Sequence, residues 1–141
     1  MKIIVKENIE ISSDLSRILD EHRHKSGQEN VTDADDYFSF ALYKEDKLIG
    51  GITAKMRLGE FYIILLAVLE KYRGQGLGKR LMQIAEEKAK ELNCQHILLT
   101  TYSYQGVYFY PSVGFKELAR ISDFPSQGVD KVYFIKCLDK K

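Results

Sequence analysis

Three glycines at alternate positions, Gly74, Gly76 and Gly78, interrupt the chain where the apolar run Phe61–Leu69 gives way to the basic stretch K-Y-R-G-Q-G-L-G-K-R. Glycine has no side chain and reaches left-handed backbone angles at little cost, so backbone N–H groups in such a stretch can approach a ligand closely. If a helix opens there, its first N–H groups lack intrahelical partners and lie at the positive end of the helix dipole, an arrangement that suits phosphate. Two nucleotide loops are excluded by spacing. The Walker pattern G-x-x-x-x-G-K-S/T fails because Arg73 stands five residues before Gly78, and Arg80 follows Lys79 where a hydroxyl is needed for magnesium. The dinucleotide pattern G-x-G-x-x-G fails because its third glycine would fall on Lys79. The histidines supply no alternative centre. His22 and His24 sit two apart on a predicted helix and face different ways, and His96 with Cys94 gives at most two metal ligands.

The pattern that does match is R-x-x-G-x-G, carried by Arg73, Gly76 and Gly78 directly after Leu66-Ala67-Val68. A second segment, F-Y-P-S-V-G-F from Phe109 to Phe115, follows about thirty residues later. In these two motifs, their order and their separation, the chain resembles the GCN5-related N-acetyltransferases (GNAT), in particular small single-domain bacterial members. The resemblance implies a mixed α/β (α+β) fold: a six- to seven-stranded, mostly antiparallel sheet with splayed parallel central strands, flanked by about four helices. It implies acetyl-CoA as cofactor, with the backbone of Leu66, Ala67 and Val68 pairing to the pantetheine arm. The amides of Arg73, Gly74, Gln75, Gly76, Leu77, Gly78 and Lys79 would hold the pyrophosphate. Ser103 stands where an asparagine often contacts pantetheine. A catalytically silent acyl-CoA-binding module of the same fold is the alternative.

Acyl transfer to an amine sets a definite problem. A lysine-like acceptor with pKa ~10.4 is neutral in only about one molecule in 2,500 at pH 7, and only the neutral form attacks. The site must therefore accommodate loss of a proton and later protonate a thiolate. By resemblance the acid is Tyr110, a phenol that carries its proton at neutral pH. Pro111 biases Tyr110 away from helical angles. For the base, the nearest carboxylates in sequence are Glu60, before the apolar run, and Glu70, beyond it, while Asp33, Asp35 and Asp36 could line the acceptor side. That acidic cluster hints at a cationic acceptor. The acceptor class expected is a small-molecule or peptide amine.

The elements that must position these groups follow from periodicity. Lys2–Val5 reads as a short strand, and Ser12–Ser13 as the cap of a helix to Lys25. Tyr37–Lys44 and Leu48–Met56 read as a hairpin, in which Gly50–Gly51 marks a bulge or a close neighbouring backbone. The nine apolar residues Phe61–Leu69 predict a strand buried on both faces at the centre of a sheet. Leu77, Leu81, Ile84, Ala85 and Leu92 fall on one helical face. Strands at Ile97–Thr101, Phe115–Ile121 and Val132–Leu138, and a short aromatic helix at Tyr104–Tyr110, complete the order.

Size and charge bound the rest. At 141 residues one domain is expected. A formal net charge of +1 supplies no field to draw nucleic acid or an anionic membrane. Phe61–Leu69, the longest apolar run, is roughly half of what a membrane-spanning helix requires. Cys94 and Cys137 read as free thiols of a reducing cytoplasm. A homodimer is the assembly that the resemblance suggests.

Overall fold

The computed structural model describes residues 1–27 and 35–138. The chain divides into two units, Met1–Asp33 and Ala34–Lys141. In the first, the helix α1 (Ser12–Lys25) carries the (i, i+3) ion pairs Arg17–Asp14 and Arg23–Asp20, both 2.7 Å. Two expectations fail here. Lys2–Val5 is irregular rather than a strand, its apolar part Ile3–Val5 being shorter than an ordinary strand. The serines do not cap α1 either: Ile11 is the cap residue in a helical conformation, so Ser12 and Ser13 already lie inside the first turn.

The second unit is a six-stranded sheet. The strands are β1 (Asp36–Lys44), β2 (Lys47–Arg57), β3 (Glu60–Val68), β4 (His96–Tyr102), β5 (Lys116–Ile121) and β6 (Lys131–Cys137), in spatial order β1-β2-β3-β4-β6-β5. Only β3 and β4 are parallel, joined by the crossover helix α2 (Leu77–Glu91); the other neighbours run antiparallel. A short helix, α3 (Phe109–Ser112), and a 3-10 turn at Glu70–Tyr72 complete the elements, so among the described residues three α-helices and one 3-10 turn stand where about four helices were expected. The aromatic segment is helical only from Phe109, because Gly106 and its neighbours form turns that swing the chain into α3.

One face of the sheet packs on α2. Leu81, Met82, Ala85 and Ala89 of the helix are buried against Ile52, Ala54, Phe61, Ile63, Ile97 and Leu99. Burial of a Leu, Met or Phe side chain contributes roughly 1.5–3 kcal/mol each, so this face supplies most of what holds the parallel pair under its helix.

The parallel pair is short. Only Glu60, Phe61 and Tyr62 of β3 pair with β4, opposite His96, Ile97 and Leu98. Beyond them β3 is bulged: Thr53 of β2 faces Leu65 and Ala54 faces Ile63, which leaves Ile64 as the extra residue. The bulge bends β3 away from β4 and opens a wedge between them. Leu65, at 65% relative exposure, therefore contradicts the expectation of a strand buried on both faces. Gly50 meets its expectation, since a Cβ there would lie 3.0 Å from the carbonyl oxygen of Ala67.

Candidate active site

The wedge continues into a cavity of about 960 Å³. Its walls are the second half of β3 (Ile64 to Val68), the glycine-rich loop with the first turn of α2, the hydroxyl-bearing Thr100 and Thr101 of β4, and the segment leading into Tyr110. Three features of these walls bear on chemistry.

The first is a row of unshared backbone groups. Leu69 N–H donates to the carbonyl of Ile49 at 2.8 Å, so the odd-numbered residues at this end of β3 bond to β2. Strand alternation then turns the N–H groups of Leu66 and Val68 toward the wedge, where β4 has already departed. The Val68 carbonyl accepts Arg73 Nε at 2.9 Å. Arg73 thus fastens the loop to the end of the strand, a role beyond any contact with phosphate.

The second is the open N-terminus of α2. Gly74 and Gly76 both take φ +78°, and Gly76 is the cap residue, with no side chain to bond the helix amides. The first intrahelical donor is Arg80 N–H, to the Gly76 carbonyl at 3.0 Å, which leaves the amides of Leu77, Gly78 and Lys79 directed out of the helix end. A Cβ built on Gly74 or Gly76 would meet nothing within 4 Å; these glycines are required by backbone angle and by the open space before them. Gly78 differs, because its Cβ would sit 3.5 Å from the Phe109 ring in ordinary contact.

The third is Tyr110. Its ring is held by Phe115 and Phe134 at centroid distances of 5.8 and 5.7 Å, and it passes over Gly106, where a Cβ would come within 2.9 Å. Burial pushes the phenol above its ordinary value, because desolvation disfavours the phenolate. Pro111 does not take Tyr110 out of helical angles, contrary to the bias expected from sequence. Tyr110 is helical, with its N–H on the Gly106 carbonyl at 3.3 Å, and Pro111 falls in the first turn of α3, where its missing N–H would have had no intrahelical partner. Lys136 fixes this region from below, its Nζ donating to the Val113 carbonyl at 2.8 Å and to Glu86 of α2 at 2.9 Å.

The sequence-predicted residues separate into two groups. Leu66, Ala67, Val68, Arg73, Gly74, Gly76, Leu77, Gly78, Lys79 and Tyr110 share the cavity. Gln75, Ser103 and Glu60 are not part of its wall. The Ser103 hydroxyl accepts the Asp130 N–H at 2.9 Å and the Ser103 N–H donates to the Asp130 carbonyl, so this residue ties β4 to the β5–β6 loop. Glu60 begins β3, at the end away from the loop, and lines a separate cavity of about 380 Å³ with His96 and Asn93. Asp33 lies outside the described residues. Asp35 accepts a hydrogen bond from the Tyr37 hydroxyl at 3.4 Å, and Asp36 opens β1 beside Met56, at the same end of the sheet as Glu60. Thr100, Thr101, Tyr72 and Gly106 were not anticipated; two adjacent threonines directly after the aliphatic run Ile97–Leu99 were the available signal for the first two.

These walls fit an acyl-CoA. The helix amides and open glycine space suit a pyrophosphate, and the amides of Leu66 and Val68 suit an amide-bearing arm laid along the strand. A model of the Acetyltransferase (GNAT) family matches residues 8–115. The chain belongs to that family. Among curated proteins it is 33% identical over 90 residues to a blasticidin-S acetyltransferase from Streptomyces morookaense, a match covering 63% of this chain and 66% of that protein, just under two thirds of its length. Among solved structures, an acetyltransferase from Bacillus cereus superposes with a TM-score of 0.82 at 28% identity, covering 97% of this chain and 98% of that one. An acetyltransferase from Bacillus anthracis in complex with acetyl coenzyme A superposes with a TM-score of 0.66 at 26% identity, over 74% of this chain and 64% of that one. The GNAT fold, with acetyl-CoA-dependent N-acetyltransfer as the activity of the family, agrees with the reading of the two motifs.

Proposed function

We propose that the protein transfers an acetyl group from acetyl-CoA to a primary amine of a small molecule or peptide, by direct attack with both substrates bound. The observation that carries this is the convergence of three groups on one cavity: the unpaired half of β3, the uncapped N-terminus of α2 and the half-buried phenol of Tyr110. When bound, acetyl-CoA supplies a thioester activated toward nucleophiles. The chain's own residues do the rest. The amides of Leu77, Gly78 and Lys79 bind the pyrophosphate charge, with Lys79 beside them. Leu66 and Val68 orient the arm by strand-like hydrogen bonds. Tyr110 holds a proton on Oη for the departing thiolate, and its raised pKa keeps that proton in place throughout the neutral range.

The family model spans residues 8–115 and so reaches into both units, which supports reading the chain as one catalytic domain. Free Cys94 and Cys137 are in keeping with a reducing cytoplasm, and the family resemblance supports a homodimer that sedimentation would check. The activity is tested by incubating the protein with acetyl-CoA and a panel of amines while following thiol release. Release that depends on both protein and amine is the expected outcome; CoA binding by calorimetry without turnover of any amine class would instead leave a binding module.

A further inference from the structure

Two contacts join the turn that carries Tyr110 to the helix that carries the pyrophosphate amides. At the open end of α2 the Phe109 ring lies over Gly78, 3.5 Å from where a Cβ would stand. Farther along, Lys136 of β6 spans from α2 to the end of α3: its Nζ donates to Glu86 Oε2 at 2.9 Å and to the Val113 carbonyl at 2.8 Å. Glu86 follows Leu77 by nine residues, roughly 13 Å down the helix. Tyr110 falls between the two attachment points, one residue after Phe109 and three before Val113.

The turn transmits either contact to Tyr110. The Tyr110 carbonyl accepts the Val113 N–H at 3.1 Å and the Phe115 N–H at 3.0 Å, and the Gly114 N–H donates to the Pro111 carbonyl at 3.1 Å. Tyr110–Phe115 is therefore one hydrogen-bonded body, and the Val113 carbonyl is its handle. α3 has four residues, too few to hold a direction by its own helical bonds. With the Phe109 contact alone it pivots about Gly78; the contact at Val113 removes that freedom. Strand β6 serves both ends of the device. Phe134, 5.7 Å from the Tyr110 ring, and Lys136 are two residues apart on that strand and so share a face.

The bridging pair is placed to resist water. The side chains of Lys136 and Glu86 are 21% and 19% exposed, and their hydrogen bond is charge-assisted. Gly114 admits the lysine, since a Cβ there would come within 3.0 Å of Lys136 Cε and 3.2 Å of Nζ. Neither Lys136 nor Glu86 is part of the cavity wall. We propose that Lys136, through Glu86 and the Val113 carbonyl, is a positioning residue for acetyl transfer: it fixes the Tyr110 hydroxyl relative to the amides of Leu77, Gly78 and Lys79. The group that gives the proton and the group that anchors the cofactor then keep one spacing. This rests on the reading of Tyr110 as the acid. The amine nitrogen bonds to the acetyl carbon as the carbon–sulfur bond breaks, and the extra proton on nitrogen passes to solvent. The thiolate takes the Tyr110 Oη proton, which solvent restores, and Lys136 takes part in none of these transfers.

The test is a double-mutant cycle, run with the amine of the panel above that gives the fastest thiol release, with CoA affinity read by calorimetry. Lys136→Met should lower kcat about tenfold while KM for acetyl-CoA and CoA affinity change less than about twofold. Lys136→Arg, which can still donate to both oxygens, should recover most of that loss. In a Tyr110→Phe background, where no proton is left to position, Lys136→Met should cost less than about twofold further. In the protein without cofactor, nuclear Overhauser contacts between the Tyr110 and Phe134 rings should weaken in Lys136→Met and return in Lys136→Arg. Glu86→Gln leaves Lys136 an oxygen but removes the charge; it should show the same pattern at about threefold, and it carries the test if Lys136→Met does not fold. A loss that repeats in full in the Tyr110→Phe background overturns the positioning role while Tyr110 stands as the acid. So does a CoA affinity that falls with kcat, an unchanged set of ring contacts, or wild-type kcat in the Lys136 and Glu86 variants. Wild-type kcat in Tyr110→Phe, or no release with any amine, overturns both readings.

Discussion

Phe61 and Ile63 in the first half of β3 are 0% and 4% exposed, whereas Ile64 and Leu65, the next residues along, are 41% and 65% exposed. All four are large and apolar, so residue type does not distinguish them. Facing and partnering do. Phe61, paired with both β2 and β4, and Ile63, one residue past the last β4 pair, turn into the core under α2; Ile64 and Leu65, at the bulge, keep β2 but have no β4 neighbour. One bulge, at Ile64, converts a core strand into the wall of a binding site. Hydrophobicity specifies membership of the sheet, while the missing neighbour specifies where a ligand can add its own hydrogen bonds.

Phe61→Ala has the largest expected effect. It should lower the unfolding free energy by about 3–5 kcal/mol in denaturant titration, because it empties a fully buried site. Leu65→Ala should stay within about 0.5 kcal/mol, as for an exposed position. Equal losses would mean that the second half of β3 is packed as core after all.

Tyr110→Phe comes next. The ring contacts to Phe115 and Phe134 persist while the proton is removed, so turnover should fall about 100-fold with CoA affinity nearly unchanged. The sign of the pH dependence follows from burial. Raised above its ordinary value, the phenol keeps its proton longer, so wild-type activity should show no loss due to Tyr110 until the pH passes about 10. The same shift makes folding insensitive to this group below about pH 10 and less favourable as pH rises through its folded-state value. Wild-type turnover in the variant would remove Tyr110 as the acid.

Gly76→Asp is smaller but more specific. A carboxylate among the α2 amides should weaken CoA binding more than about tenfold by calorimetry, whereas Gly78→Ala, whose new methyl meets Phe109 at an ordinary distance, should alter it less than about twofold. Gly76→Ala separates charge from backbone strain, since alanine at φ +78° is strained but uncharged. Unchanged affinity in Gly76→Asp would make the loop purely structural.

Much of this was legible in the sequence because it is local. The glycine spacing, the period change at Leu77 and the F-Y-P-S-V-G-F segment depend on residues close along the chain; the first two took their expected place, while the helix expected at Tyr104–Tyr110 runs over Phe109–Ser112. The bulge at Ile64 was not legible: it depends on register against Thr53 and Ala54, some ten residues away, and nothing in a nine-residue apolar run marks where pairing ends. Ser103 and Glu60 show the same limit. Their neighbourhood to the motifs in sequence suggested the site, but Ser103 is claimed by the Asp130 backbone, and Glu60 lies at the far end of a strand that spans the sheet. Lys2–Val5 and Ser12–Ser13 were misread because short patterns fit more than one local structure.

The most direct measurement is residue-resolved amide exchange of β3 by NMR, with and without CoA. Tyr62 and Ile63 should exchange equally in both, while the Leu66 and Val68 amides should slow markedly when CoA occupies the wedge and completes their hydrogen bonds. Binding of CoA that leaves Leu66 and Val68 exchanging as before would contradict the unpaired half of β3 as the site of the pantetheine arm.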